Sequence, residues 1–429
     1  MSEWREWSLG ALVDAADGHI KTGPFGSQLH AHEYTADPRG IPVVMPKDMV
    51  RGRIDQRSVS RVSSETAERL KTHRLAGGDV VLARRGDVGR FAFVEDDESG
   101  WLCGTGSMRV HVANHGVVAP RFLRYAMDEP GVSEWLTGQA VGSTMANLNA
   151  KIVAALPLSA PDVATQRRIA AVLSAFDELI EINERRIELL EDLARSLYRE
   201  WFERFRFAGH AETEFVSSEL GPIPETWKVR RLGDVATVNK RTLRTSDLPN
   251  PLQYLDISSV GVGRLSEPTV IEADRAPGRA RRSLRDGDVL WATVRPNRRA
   301  HGLVHDPPPD LVASTGLAAI SPESVPASFL FLHVSHPVFT EYLVSRATGS
   351  AYPAVRPTDF EDASIVVPSV SILGAFDQVA APSLRLASTL AEHNRALARG
   401  RDLLLPRLVT GRLDTSDIDL GELLPPEPA

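Results

Sequence analysis

The chain has 429 residues, 42% hydrophobic and 24% charged, with a single cysteine and a formal net charge of −7. That length accommodates two or three domains with separate cores, while a lone cysteine excludes an internal disulfide and argues against a cysteine-based zinc site. The acidic balance excludes a uniformly basic DNA-gripping surface, so any nucleic-acid contact must rest on local positive charge or on partner subunits.

Residues 1–6 are acidic and aromatic, with no basic stretch leading into an apolar one, and no later apolar run approaches the roughly 20 residues of a membrane span. A cytoplasmic location away from membranes is expected. Residues 1–160 read as a strand-rich α+β domain. The stretch Lys21-Thr22-Gly23-Pro24-Phe25-Gly26-Ser27 lacks the spacing of a nucleotide-binding loop; it fits either a tight turn or a close backbone approach to phosphate. His30-Ala31-His32-Glu33 has no companion ligands at recognisable spacing and reads as a loop rather than a metal site. A Gly-Asp turn at 78–79 introduces the run Val80-Val81-Leu82-Ala83, and Phe91-Ala92-Phe93-Val94 and Met108-Arg109-Val110-His111-Val112 continue the strand pattern. Pro120 opens a short helix.

Over 161–208 the period changes from two to a heptad. Ile169, Leu173, Phe176, Ile180, Asn183, Ile187, Leu190, Ala194, Leu197 and Trp201 follow in steps of four and three. About 40 helical residues would make a rod of roughly 60 Å.

Residues 209–368 restate the first domain. Trp227, Leu232 and Gly233 repeat the spacing of Trp4, Leu9 and Gly10. Leu284-x-x-Gly287-Asp288-Val289 repeats Leu75-x-x-Gly78-Asp79-Val80, and Gly349-Ser350-Ala351 repeats Gly142-Ser143-Thr144. The common order of such matches marks two related domains. Over 369–408 a second heptad, Val379, Ser383, Leu386, Leu390, His393, Leu397, Gly400 and Leu404, falls 210 residues after the first eight positions of its predecessor. Pro382, Gly400 and Pro406 are expected to weaken, kink or stop that helix. A one-sided apolar seam needs a partner, and with a domain between them the two helices are expected to pair as an antiparallel coiled coil. Asn183 and His393 occupy matching polar positions, which either set register or lie solvated at a frayed point. The tail, 409–429, is expected to be mobile.

Arginine suits guanine because its fork is bidentate, while lysine and arginine on phosphates set position. The loop after the first Gly-Asp-Val strand holds Arg84, Arg85 and Arg90; the equivalent loop of the second domain holds Arg295, Asn297, Arg298 and Arg299. Their places match and their chemistry differs, as two domains reading different bases would require; solvated turns with scattered arginines would look similar. Lys21 and the cluster Lys240, Arg241 and Arg244 are further candidates. Catalytic motifs are missing: there is no HExxH, GxSxG or Walker sequence. Asp306-Pro307-Pro308-Pro309 comes nearest to the tetrapeptide of adenine methyltransferases, but its last residue is not aromatic. A nuclease or methyltransferase with cryptic motifs is the alternative.

The strings KTGPFGSQL (21–29), LGPIPETWKVRRLGDVA (220–236), TQRRIAAVLSAFDELIEINERRIELL (165–190), LARSLYREWFERF (193–205) and RDLLLPRLVTGRL (401–413) stand in order along the chain. Together they resemble the specificity subunits of type I restriction–modification systems. That resemblance implies two target-recognition domains, each reading one half of a split, asymmetric double-stranded DNA target. It implies that the paired helices set the gap and dock two copies of an adenine-methylating modification subunit, with a motor subunit cutting DNA. The chain would then supply specificity to these activities and no chemistry or cofactor of its own.

Overall fold

The computed structural model describes residues 4–140 and 147–415; the repeat match at 142–144 and most of the expected tail lie outside the described residues. The chain forms two compact units, residues 1–181 with 395–429, and residues 182–394. Both are α+β, and each contains part of both long helices.

In the first unit the Gly-Asp turn works as expected. Gly78 sits at φ +91°, and the Asp79 carboxylate accepts the Ala76 N–H at 2.9 Å. The turn delivers Val80–Ala83, buried throughout, to the middle of an antiparallel sheet between Ser107–His111 and Phe91–Phe93; His19–Thr22 lies on the far side of Ser107–His111. Side chains alternate across a strand. Accordingly Val80 and Leu82 enter one core and Val81 and Ala83 another. A second sheet pairs Ile41–Val44 in parallel with Leu102–Cys103 and antiparallel with Ser60–Val62.

The second unit repeats this plan. Gly287 takes φ +84°, Asp288 accepts the Arg285 N–H at 2.8 Å, and Val289–Ala292 divides its side chains between two cores. Its sheet runs Ala236–Val238, Leu317–Pro322, Val289–Ala292, His301–Leu303. Leu252–Leu255 is parallel to Leu311–Ser314 and antiparallel to Thr269–Ile271, matching the first unit strand for strand. The units differ at an edge: Tyr34–Thr35 extends one sheet and Ala280–Ser283 the other, on different neighbours.

The first long helix spans Val163–Tyr198 and runs into a π-helical turn at Arg199–Glu203. Asp162 starts it, accepting the Thr165 N–H at 3.0 Å. The second spans Val370–Val409. Pro382, Gly400 and Pro406 neither stop nor split it, contrary to expectation. Packing overrides propensity here: at Gly400 an added Cβ would lie 3.3 Å from the Phe176 ring, so the glycine admits that side chain.

Within each unit the two helices run antiparallel. In the first unit Ile169 and Leu173 share a core with Leu405 and Leu408, and Asp177 meets Arg401 at 2.6 Å. In the second, Asn183 donates to the Asn394 side chain at 2.9 Å, Ile187 packs with Ala387 and Leu390, and Trp201 meets Phe376. Partner numbers fall as helix numbers rise. Of the first seam, Ile169, Leu173, Asn183, Ile187 and Ala194 are buried, and Phe176, Ile180, Leu190 and Leu197 are half-buried. The second is shifted at alternate positions: Ala380, Ala387 and Asn394 face inward where Val379, Leu386 and His393 were expected, and those three are exposed. Leu390 is buried and Leu397 half-buried. At these alternate positions Ala380 and Ala387 lie inside while the larger Val379 and Leu386 lie outside, so residue size there selects the wrong face. The polar partner of Asn183 is accordingly Asn394, not His393.

Candidate nucleic-acid interface

In the first unit, the chain leaving Val80–Ala83 is clamped on both sides of Arg84. Its N–H donates to the Gly106 carbonyl and its own carbonyl accepts from the Leu148 N–H, both at 2.8 Å. Arg84 is only 8% exposed, yet among the described residues no carboxylate pairs with it and its buried Nε has no hydrogen-bond partner. Its guanidinium lies over the Phe25 ring at 5.3 Å. Burial, then the neighbouring Arg85 charge, pulls its pKa down. Arg85 is exposed. Arg90 is also exposed, but Asp87 holds it at 2.7 Å. Lys21 donates to the Thr72 carbonyl at 2.9 Å, tying two segments of the domain together.

In the second unit Thr293 takes the clamped place, its N–H donating to the Gly316 carbonyl at 3.0 Å and its carbonyl accepting the Val355 N–H at 2.9 Å, and Arg295 lies two residues further along the loop. It adopts φ +53°, and its N–H donates to the Pro353 carbonyl at 2.7 Å. Its guanidinium lies over Tyr352 at 4.8 Å, with no ion pair or side-chain hydrogen bond among the described residues. Pro296–Arg298 forms a single 3-10 turn that leaves Asn297 and Arg298 exposed. Arg299, at φ +55°, reaches the Ser335 carbonyl at 3.0 Å. Arg244 is exposed.

Lys240 and Arg241 are held by the fold. Lys240 pairs with Glu323 at 2.6 Å. Arg241 reaches the Asp288 carboxylate at 2.5 Å, and that residue is 1% exposed. Asp288 is the turn residue that starts the central strand. Its counterpart Asp79 meets His111 at 2.6 Å instead, so each unit covers its buried turn carboxylate with a different cationic or titratable group. Removing one partner of such a pair leaves a charge stranded. Arg241→Ala is expected to cost about 3 kcal/mol, seen as a lower melting temperature before any change in DNA affinity; unchanged melting with weakened DNA binding would assign Arg241 to the interface instead.

From sequence, Phe25 falls within the Lys21–Ser27 stretch, which fits a turn or a phosphate approach, and Tyr352 falls among polar residues before the second helix that either face DNA or turn the chain. Phe25 is 52% exposed and Tyr352 70%. The only signal in the sequence is an aromatic among turn residues, Gly-Pro-Phe-Gly and Ala-Tyr-Pro, where a core role is hard to build. Among the described residues no cluster of His, Cys, Asp and Glu could hold a metal ion, and no helix is long and apolar enough to cross a membrane.

Known proteins resemble this chain in sequence and in fold. Residues 2–192 match the family described as type I restriction modification DNA specificity domain. The type I restriction enzyme MjaIX specificity subunit of Methanocaldococcus jannaschii is 25% identical over 426 residues, covering 96% of this chain and 95% of the relative. The HindI specificity subunit of Haemophilus influenzae is 21% identical over 478 residues, covering 96% of this chain and all of the relative, 100%. The crystal structure of a type I restriction–modification system S subunit from M. genitalium shares the fold with a TM-score of 0.63 at 15% identity, over 95% of this chain and 96% of that one.

Proposed function

We propose that the chain is a specificity subunit of the type I restriction–modification family and that its two units each read one half of a bipartite, asymmetric double-stranded DNA target. The observation that carries the reading is the repeated station after the Gly-Asp-Val strand. Two related sheets hold two arginine loops at the same place, with Arg84, Arg85 and Arg90 in one and Arg295, Asn297, Arg298 and Arg299 in the other. The same scaffold with different donors gives different base preferences in the two halves. Arg85, Arg244, Arg298 and Asn297 are exposed and available to the duplex. The division of the chain follows the repeat: recognition domains at 1–160 and 209–368, spacer helices at 161–208 and 369–408, and a tail at 409–429.

The long helices set the gap between half-sites and dock the modification subunits, in two copies. What supports docking is an apolar groove on the helices of the second unit. Leu189, Leu193 and Leu386 are 63%, 49% and 48% exposed. With Leu190, Leu390 and Arg186 they line a groove of about 460 Å³. An exposed apolar patch of this kind on a helix pair marks an interaction surface. The second helix turns Leu386 outward, where the heptad had placed it inward.

In this reading the subunit contributes specificity, while partner subunits methylate adenine and cut. Mapping methylated adenines in cells that carry the chain with its modification subunit tests it: a target in two separated parts is expected, and a continuous target would contradict the reading.

A further inference from the structure

The station described above is electrostatically incomplete. A buried charge is costly unless paired or hydrogen-bonded, yet Arg84 is buried with only a ring for company. Its Nε has no hydrogen-bond partner among the described residues. Nor have two other buried atoms at the same junction, Thr105 Oγ1 and Asn147 Oδ1. Thr105 precedes the residue that accepts the Arg84 N–H, and Asn147 precedes the one that donates to its carbonyl. Three orphaned polar atoms and an unneutralised guanidinium meet at one clamped backbone point: Arg84 calls for an acceptor, Asn147 Oδ1 for a donor, and Thr105 Oγ1 can serve as either.

The second unit has a comparable arginine–ring stack in the equivalent loop, two residues beyond Thr293, which holds the clamped place of Arg84. Arg295 stacks on Tyr352, its backbone is held by Pro353, and it too lacks a carboxylate among the described residues. Phe25 comes from the start of its domain and Tyr352 from the end, so the stack is rebuilt rather than copied. A guanidinium lying on an aromatic face has its plane set. A phosphate accepts an arginine from many directions, but the N7 and O6 edge of guanine demands a fork in one plane.

We infer that Phe25 and Tyr352 are specificity-determining positioning residues, each holding an arginine fork, Arg84 or Arg295, in the plane that reads a guanine edge in its own half of the target. The inference rests on the proposed two-part reading and deepens it. The exposed remainder of each ring is left to pack against the neighbouring base step.

The test uses the intact complex of full-length chain and modification subunit, with methylation measured on a library of DNA targets. Phe25→Ala should relax preference at one guanine of one half-site by roughly 5- to 100-fold, the span of one bidentate contact. Tyr352→Ala should do the same at one guanine of the other half. Phe25→Tyr and Tyr352→Phe keep a ring and should restore discrimination. The salt dependence of binding should stay as in the unmodified complex, because no phosphate contact is lost. Both rings are largely exposed, so melting should be unchanged. Alanine variants that keep full discrimination, that weaken all sequences equally with a shallower salt slope, or that act on both halves at once would overturn the inference, as would a half-site without guanine. An unmodified complex with no two-part target would remove the premise and the inference together.

Discussion

Replacing Asp177 by alanine is expected to destabilise the first unit by about 3–5 kcal/mol, the cost of breaking a buried ion pair. Asp177 is 7% exposed and stands where three elements meet. Arg124, from the short helix Pro120–Met127, approaches at 2.9 Å with its side chain 4% exposed. Arg401, from the second long helix, approaches at 2.6 Å, and the Tyr125 hydroxyl donates at 2.8 Å. Burial alone would raise the pKa of this carboxyl. The Arg124 charge and the bonds from Arg401 and Tyr125 outweigh burial and hold it below its ordinary value of 3.8. A carboxyl with a lowered folded pKa stabilises in full above its unfolded value and loses that contribution as pH falls through the folded value. The unmodified protein should therefore lose stability in acid below about pH 4, and Asp177→Ala should flatten that part of the curve. Glu178, exposed one residue away, is the control: Glu178→Ala should stay within roughly 0.5 kcal/mol. Thermal melts across pH decide the matter, and an Asp177→Ala melt equal to that of Glu178→Ala would deny the network its role. The same network sets helix register, since a slip of one residue would carry Arg401 away and leave a buried carboxylate with less compensation.

Charging the groove should have the opposite signature. Leu189→Glu with Leu386→Glu changes side chains that are 63% and 48% exposed, so the fold should tolerate them. A partner helix burying those positions would have to desolvate two carboxylates. Association should weaken at least ~100-fold, which is about 2.7 kcal/mol, and methylation at fixed subunit concentrations should fall in step. Size-exclusion analysis of the mixed subunits alongside melting of the variant separates a lost interface from a lost fold. Full methylation by the double variant would place the docking surface elsewhere.

What could be read from residues alone follows from how local each signal is. The Gly-Asp-Val strands were legible because a positive-φ glycine, an aspartate cap and a wholly buried strand are encoded within six residues. The first helical seam was legible because its inner residues are large. The second was half hidden, since Ala380 and Ala387 take the inner turns and leave Val379 and Leu386 to solvent. The helix running through Pro382 and Pro406 was not legible at all, because local propensity argues against it and only packing allows it. At the candidate interface, arginine-rich loops stood out by composition. Which arginines are free did not, because Arg241 is bound to a carboxylate 47 residues away. Phe25 is brought to Arg84, and Tyr352 to Arg295, only by the fold.

The central claim is that two related heads read separate halves of one target. Methylome sequencing of cells carrying the chain with its modification subunit, before and after residues 1–160 are exchanged for the matching segment of another family member, tests it most directly. The account predicts a target in two separated parts, of which the exchange rewrites one and leaves the other and the gap unchanged. A continuous target, or an exchange that rewrites both parts, would contradict it.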